Sequence, residues 1–294
     1  MSSIRSLDVP GALVALLLAA LWGGNPVVVK LSLADAPPLR LAAMRFALGG
    51  LTILAWALWT RRSGLLRLRP GEGRAIVSLG LIFAVQIGLM NVGLDLTTAA
   101  HGAVLLNSYA IHTVVLAHFF VPGDRMSAAK IGGIAIAYAG ILLLFGRDLS
   151  FSSGTLMGDV VVMVSAFLLG ERTVYTARAV QRFDPVKLLL GQAAIGTACF
   201  LAASLWLERA EPTRYTWSLA ASLLYQGPIV AGFNFIVNAW QLQVYRPSAL
   251  AACALTSPLW GVLLAGTLAR EPLTPALLAS SGMVVAGMWL ATRR

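Results

Sequence analysis

LAALWGGNPVVVKLSL, residues Leu18 to Leu33, decides how this chain is read. The apolar run around it begins near Gly11 and continues past Lys30, too long for a signal-peptide core and long enough to cross a bilayer. Yet Gly23, Gly24, Asn25 and Pro26 fall together in its middle. Glycine weakens a helix, proline removes a backbone donor, and an asparagine amide finds no partner in lipid. Such residues are tolerated at membrane depth where they face protein or a water-filled cavity. The stretch therefore predicts a retained first transmembrane helix with a polar, bendable side turned inward.

The whole chain agrees. Of 294 residues, 58% are hydrophobic and 12% charged, with a mean hydropathy of +0.80. A soluble protein of this length covers its surface with more charge. The net charge of +10 comes from basic residues scattered between apolar segments, which argues against a nucleic-acid partner and for membrane topology. Cys199 and Cys253 both sit in apolar runs, so neither a disulfide framework nor a metal cluster is expected, and no cofactor motif is present.

Apolar segments fall at 10–32, 38–60, 73–94, 98–121, 127–146, 154–177, 186–207, 217–241, 247–268 and 274–291. Each is long enough to span, giving an all-α integral membrane protein of about ten helices. A cytoplasmic N-terminus puts Arg61, Arg62, Arg67, Arg69 and Arg74 in one inside loop, with Arg125, Lys130, Arg178, Arg182, Lys187, Arg246, Arg293 and Arg294 on the same side. The positive-inside bias places both termini in the cytoplasm.

Offsetting the chain by half its length aligns it with itself. Gly11 meets Gly158, Gly23 meets Gly170, Pro38 meets Pro185, Trp59 meets Trp206, Gly80 meets Gly227, Asn91 meets Asn238 and Gly140 meets Gly287. The expected organisation is one membrane domain of two repeats, residues 1–147 and 148–294. An odd number of crossings per repeat inverts the second copy, and such a fold sets a substrate site between the halves near the midplane.

The segments ALWGGNPVVVK, PPLRLAAMRFALGGL, DRMSAAKIGGIAIAYAGILLL and REPLTPALLASSGMVVAGMWL resemble the drug/metabolite transporter superfamily, and more narrowly its EamA-type ten-helix exporters. Within these the chain is most similar to bacterial aromatic amino acid exporters. The resemblance implies secondary transport across the inner membrane, with helices one, three, four, six, eight and nine around a central cavity. Small multidrug-resistance relatives exchange protons on a first-helix glutamate; this first helix has no carboxylate.

Polar and aromatic residues inside the spans are the substrate-binding candidates. The first span offers Trp22 and Asn25, the third Gln86, Met90 and Asn91. The fourth, AAHGAVLLNSYAIHTVVLAHFF, carries His101, Ser108 and His112 on one helical face, with Asn107 beside them. The eighth contributes Gln226, Asn234 and Asn238, while Tyr175 and Trp260 complete an aromatic set. Helix-to-helix hydrogen bonding is the competing role for each amide and histidine, and ordinary packing for each aromatic. Gly23, Gly24 and Pro26 in the first span, and Gly227 and Pro228 in the eighth, are the expected hinges. Glu171 and Arg172 form an odd pair in the sixth span, where Arg172 is expected to snorkel. Small residues at Gly133/Ala137 and Gly282/Ala286 read as packing seams, within a monomer or between the copies of a homodimer.

Other classes fit less well. No GxxxxGK[ST] loop or HExxH motif is present, nor the serine–histidine pairing of an intramembrane protease, so ATP hydrolysis and enzyme chemistry are not expected. A carrier for small organic solutes, aromatic or other apolar amino acids first, is the leading reading. Proton-coupled export of broader metabolites or drugs is the runner-up, and a channel comes third.

Overall fold

The computed structural model describes residues 8–60, 68–120, 126–148, 154–245, 250 and 253–292. Arg61, Arg62, Arg67, Asp124, Arg125, Arg246, Arg293 and Arg294 lie outside the described residues, as does most of the loop that sets the expected orientation.

The described chain is helical. α1 (Val9–Ser32), α2 (Pro38–Trp59) and α3 (Glu72–Leu96) are continuous. They are followed by α4 (Ala99–Asn107), α5 (Tyr109–Phe120), α6 (Ala128–Asp148), α7 (Leu156–Ala179) and α8 (Pro185–Leu207). Next come α9 (Trp217–Leu224), a π-helical stretch (Tyr225–Asn234), α10 (Phe235–Val244), α11 (Ser257–Leu268) and α12 (Pro275–Thr292). Among the described residues, six helical runs are long and apolar enough to cross a membrane: 9–32, 38–59, 72–96, 99–120, 185–207 and 217–238. Shorter apolar helices cover 128–143, 257–268 and 275–291.

Local chemistry starts these helices where it should. The Asp8 carboxylate accepts from Gly11 N at 2.8 Å, Asp184 from Val186 N at 2.8 Å, and Thr216 from Leu219 N at 3.0 Å. Prolines at the first turns of α2 and α8 lose nothing, since those N–H groups lack helical partners anyway. Two glutamates cap helices far away in sequence. Glu208 accepts from Leu39 N and Arg40 N at 2.7 and 2.9 Å, and Glu271 from Ala99 N and Ala100 N at 2.7 and 2.8 Å. Each carboxylate sits on the positive end of a helix dipole.

The fourth run is broken. α4 stops at Asn107 and α5 begins at Tyr109, so His101, Ser108 and His112 do not lie on one uninterrupted helical face as expected. The cause is side-chain competition for carbonyls. Asn107 Nδ2 donates to Ala103 O at 2.7 Å and Ser108 Oγ to Leu105 O at 2.6 Å, bonds that bend a helix.

Packing joins elements from both halves. α6 runs along α12, α3 lies against α7 and α8, α2 against α8 and the π stretch, and α1 against α11. Glycines make the closest approaches, and these recur at the half-chain offset. Gly80 faces Ile195 while Gly227 faces Leu48; Gly23 faces Ser257 and Trp260 while Gly170 faces Tyr109, His112 and Thr113. Gly133 meets Gly287 while Gly140 meets Ser280. Gly282, by contrast, has nothing within 4 Å of an added Cβ, so the expected Gly282/Ala286 seam faces outward. The seam of α12 runs instead through Ser280, Val284, Gly287 and Ala291, because only that stripe turns towards α6. Leucines and valines cover the outside of the bundle, with Trp59, Trp206 and Trp217 more than 80% exposed at run ends, where an interfacial aromatic belt sits.

Candidate functional site

α1 passes through Gly23–Pro26 without a break, so the hinge expected there is not an interruption in this structure. A Cβ on Gly23 would overlap the Ser257 carbonyl oxygen, so α11 presses directly on that turn. Hydroxyls from neighbouring spans bond the carbonyls before Pro26: Tyr225 Oη to Leu21 O at 2.7 Å and Ser257 Oγ to Ala19 O at 3.0 Å. Neither is the carbonyl that Pro26 leaves without its helical donor, which is Trp22 O, four residues back. Asn25 is half-buried, and its side chain makes no hydrogen bond among the described residues. Gly227 and Pro228 do lie in irregular backbone, the π-helical stretch.

The buried amides are partly committed to neighbouring elements. Gln86 Nε2 donates to Ser165 Oγ at 3.0 Å, Asn91 Nδ2 to Pro38 O at 2.8 Å, and Asn234 Nδ2 to Leu18 O at 3.3 Å. Each leaves its carbonyl oxygen without a partner. Asn238, matched to Asn91 by the offset, is half-buried and does not repeat that bond. Met90 belongs to the apolar core. Trp22 meets Phe235 edge-on at 5.8 Å, Trp260 Nε1 donates to Thr256 Oγ1 at 3.2 Å, and Tyr175 packs beside Leu79 and Leu188. Most of these side chains make contacts between spans, and the Trp260 bond lies within its own span.

The histidines separate. His101 Nδ1 lies 2.9 Å from Asp159 Oδ2, and the Thr97 hydroxyl bonds the other oxygen of that wholly buried carboxylate. His112 packs between Tyr138 and Phe167, its Nδ1 without a partner.

Two arginines stand out in the interior. Arg45 in α2 is only 3% exposed. Its Nη1 donates to Gln226 Oε1 at 3.3 Å, and Gln226 Nε2 donates in turn to Ser32 Oγ at 2.8 Å. Arg45 Nε has no partner. Its guanidinium carbon lies 4.5 Å from the centre of the Phe46 ring. Arg172 does not snorkel outward: its guanidinium carbon is 5.0 Å from the centre of the Phe83 ring. Phe46 and Phe83 meet edge to face at 4.6 Å, so the four side chains form one row, cation–ring–ring–cation. The signal for Arg45 was present in MRFALGG, a lone charge inside an apolar run. A groove of about 710 Å³ opens beside this row, between α2 and α8. Phe46, Gly50, Leu54, Leu190 and Ala194 line it, and none of the polar candidates does.

An all-helical, multi-pass bundle with charged and amide groups held between its halves has the make-up of a membrane transporter. The chain belongs to the EamA-like transporter family, whose model matches it twice, over residues 9–146 and 156–293. A relative from Salmonella typhimurium, described as a probable amino-acid metabolite efflux pump, is 29% identical across 94% of this chain and 92% of its own. The Escherichia coli inner membrane transporter YedA, itself uncharacterized, is 27% identical across 96% and 90%. A solved crystal structure with 20% identity superposes with a TM-score of 0.70, covering 96% of this chain and 97% of that one, and shares the fold.

Proposed function

We propose that this chain is a secondary exporter of small organic solutes, first among them aromatic or other apolar amino acids, working by alternating access between two inverted halves. The observation that carries the reading is the exchange of glycine contacts at the half-chain offset. Gly80–Ile195 is answered by Gly227–Leu48, and Gly23–Trp260 by Gly170–Thr113, as a pseudo-two-fold between residues 1–147 and 148–294 requires. Inverted repeats of this kind rock against each other around a fixed midplane site. Ten spans with both termini in the cytoplasm, in an inner membrane, complete the proposal. The π-helical turn at Gly227 and Pro228 is its flexible element, and the substrate's class is drawn from the efflux-pump relatives.

The test is uptake of radiolabelled phenylalanine and tryptophan into proteoliposomes, with and without an imposed proton gradient. Saturable, mutually competing flux without a gradient is expected. Non-saturating flux would indicate a pore, and no flux of any amino acid would end the amino acid assignment. One observation favours a second reading, proton-coupled export of a wider set of metabolites. Asp159 is a fully buried carboxylate paired with His101, the type of group that carries protons in membrane carriers. Flux that requires the gradient, and that loses the requirement in Asp159→Asn, would establish this reading over the facilitative one.

A further inference from the structure

We propose that Arg45 and Arg172 form an anion site that takes the carboxylate of an apolar solute, with Phe46 and Phe83 against its hydrocarbon body. The proposal rests on the transporter reading and names the chemistry that its substrate must carry.

The argument begins with what Arg45 lacks. A guanidinium buried at membrane depth is costly unless an anion or a full set of acceptors meets it. Arg45 has one neutral acceptor, Gln226 Oε1 at 3.3 Å. That amide is fixed in direction, because its NH2 group is bonded to Ser32 Oγ at 2.8 Å. The remaining edge of the guanidinium is Nε, buried without a partner, and Nη2, which makes no hydrogen bond among the described residues. An Nε/Nη2 edge is one that a carboxylate grips with two parallel hydrogen bonds. Arg172 likewise makes no hydrogen bond among the described residues and is partly accessible despite its depth.

No carboxylate of the chain serves them among the described residues. Glu72 is bonded to Lys187, Asp159 to His101 and Thr97, Glu208 to the start of α2, and Glu271 to the start of α4. Glu171 adjoins Arg172 in sequence, and adjacent residues on a helix point to different sides. Neither guanidinium therefore has a fixed counter-charge among the described residues, and both lie against the same pair of touching rings, so a carboxylate bound there meets buried positive charge with no rival anion. The surroundings choose the rest of the ligand. Beside the guanidiniums are the edge-to-face rings of Phe46 and Phe83, surfaces for an apolar body rather than for a second charged group.

The experiment uses the purified full-length chain in detergent with four probes of one shape: phenylalanine, 3-phenylpropionate, phenethylamine and phenyl phosphate. The two carboxylates are expected to bind competitively, and phenethylamine, which keeps the ring and amine without the acid, is not. Arg45→Gln and Arg172→Gln should each weaken 3-phenylpropionate binding by about tenfold or more, and Arg45→Lys by less. Because no ion pair is lost, unliganded Arg45→Gln should keep at least the thermal stability of the parent, an outcome a structural cation would not give. Equal binding of phenethylamine, unchanged affinity in both glutamine variants, or tighter binding of phenyl phosphate than of 3-phenylpropionate would each overturn the proposal. The wild-type comparison of probes needs no variant to fold. If arginine-dependent binding of 3-phenylpropionate persists while proteoliposomes carry no amino acid, the anion site stands and the exporter reading falls. If amino acids are carried and phenethylamine inhibits as well as phenylpropionate, the reverse holds.

Discussion

Replacing Gly287 by alanine should destabilise the protein, while replacing Gly282 by alanine, five residues away on the same helix, should not. A Cβ on Gly287 would stand 2.5 Å from Gly133 O, 2.7 Å from Ala137 N and 2.7 Å from Ala137 Cβ. These are backbone atoms and a methyl group, with no flexible side chain to swing aside. Ordinary contact begins near 3.4 Å, so α6 and α12 must part locally by roughly 0.9 Å. Overpacking of that kind costs about 1–3 kcal/mol. Alanine returns up to about 1 kcal/mol through its better helix propensity, a gain both variants share. The difference between the two variants therefore isolates the overpacking, about 1–3 kcal/mol. Membrane proteins often unfold irreversibly, so the assay is the half-life of monodisperse protein at elevated temperature in one detergent. Gly287→Ala should decay faster than the parent and Gly282→Ala at the parent's rate or more slowly. If Gly282→Ala is as damaging as Gly287→Ala, the stripe through Ser280, Val284 and Gly287 is not the tight face. A second copy packed on the Gly282 side would then be required.

Three further outcomes are expected. Gln226→Glu places a carboxylate at the position that now holds an amide oxygen 3.3 Å from Arg45 Nη1. It should raise thermal stability and weaken binding of 3-phenylpropionate, measured by thermal shift and competition; unchanged binding would separate Gln226 from the site. Glu271→Gln removes the charge that holds Ala99 N and Ala100 N, at a cost of about 1–2 kcal/mol from the weakened hydrogen bonds and helix-dipole contact. Faster thermal inactivation is the readout, and an unaltered half-life would mean that water replaces the cap. A cysteine at Ser63, which lies outside the described residues, should react with an impermeant maleimide from the cytoplasmic side alone; efficient labelling in intact cells would invert the orientation.

Much of the fold was legible because the bilayer imposes a simple rule. Runs such as 38–60 and 186–207 are apolar over a span's length, and they appear as α2 and α8 within a few residues. Matched glycines could also be found by offsetting the chain, since close helix contacts leave little choice of residue. Helical faces were less legible. The period that put His101 and His112 on one stripe assumes unbroken backbone, and Asn107 and Ser108 break it by bonding their own helix. A similar difficulty arises at Gly282, where small-residue spacing alone could not tell an inward stripe from an outward one. Arg45 was missed for the opposite reason: one charge hardly alters the hydropathy of its segment, and its partners Gln226 and Ser32 lie on other spans.

The π-helical stretch has a mechanical consequence of its own. Its hydrogen bonds reach one residue further along the chain than those of an α-helix, so Tyr225–Asn234 holds slack that the helices on either side lack. Drawing that slack out as ordinary helix would advance α10 by one residue, about 1.5 Å along the axis and roughly 100° around it. The residues displaced first are those tied to α1: Asn234 at Leu18 O and Gln241 at Gly11 O. Tyr225 and Gln226, at the other end of the stretch, would keep their anchors on Leu21 and Ser32. The span is built like a ratchet with one spare tooth, able to turn its far end while its near end stays fixed beside Arg45.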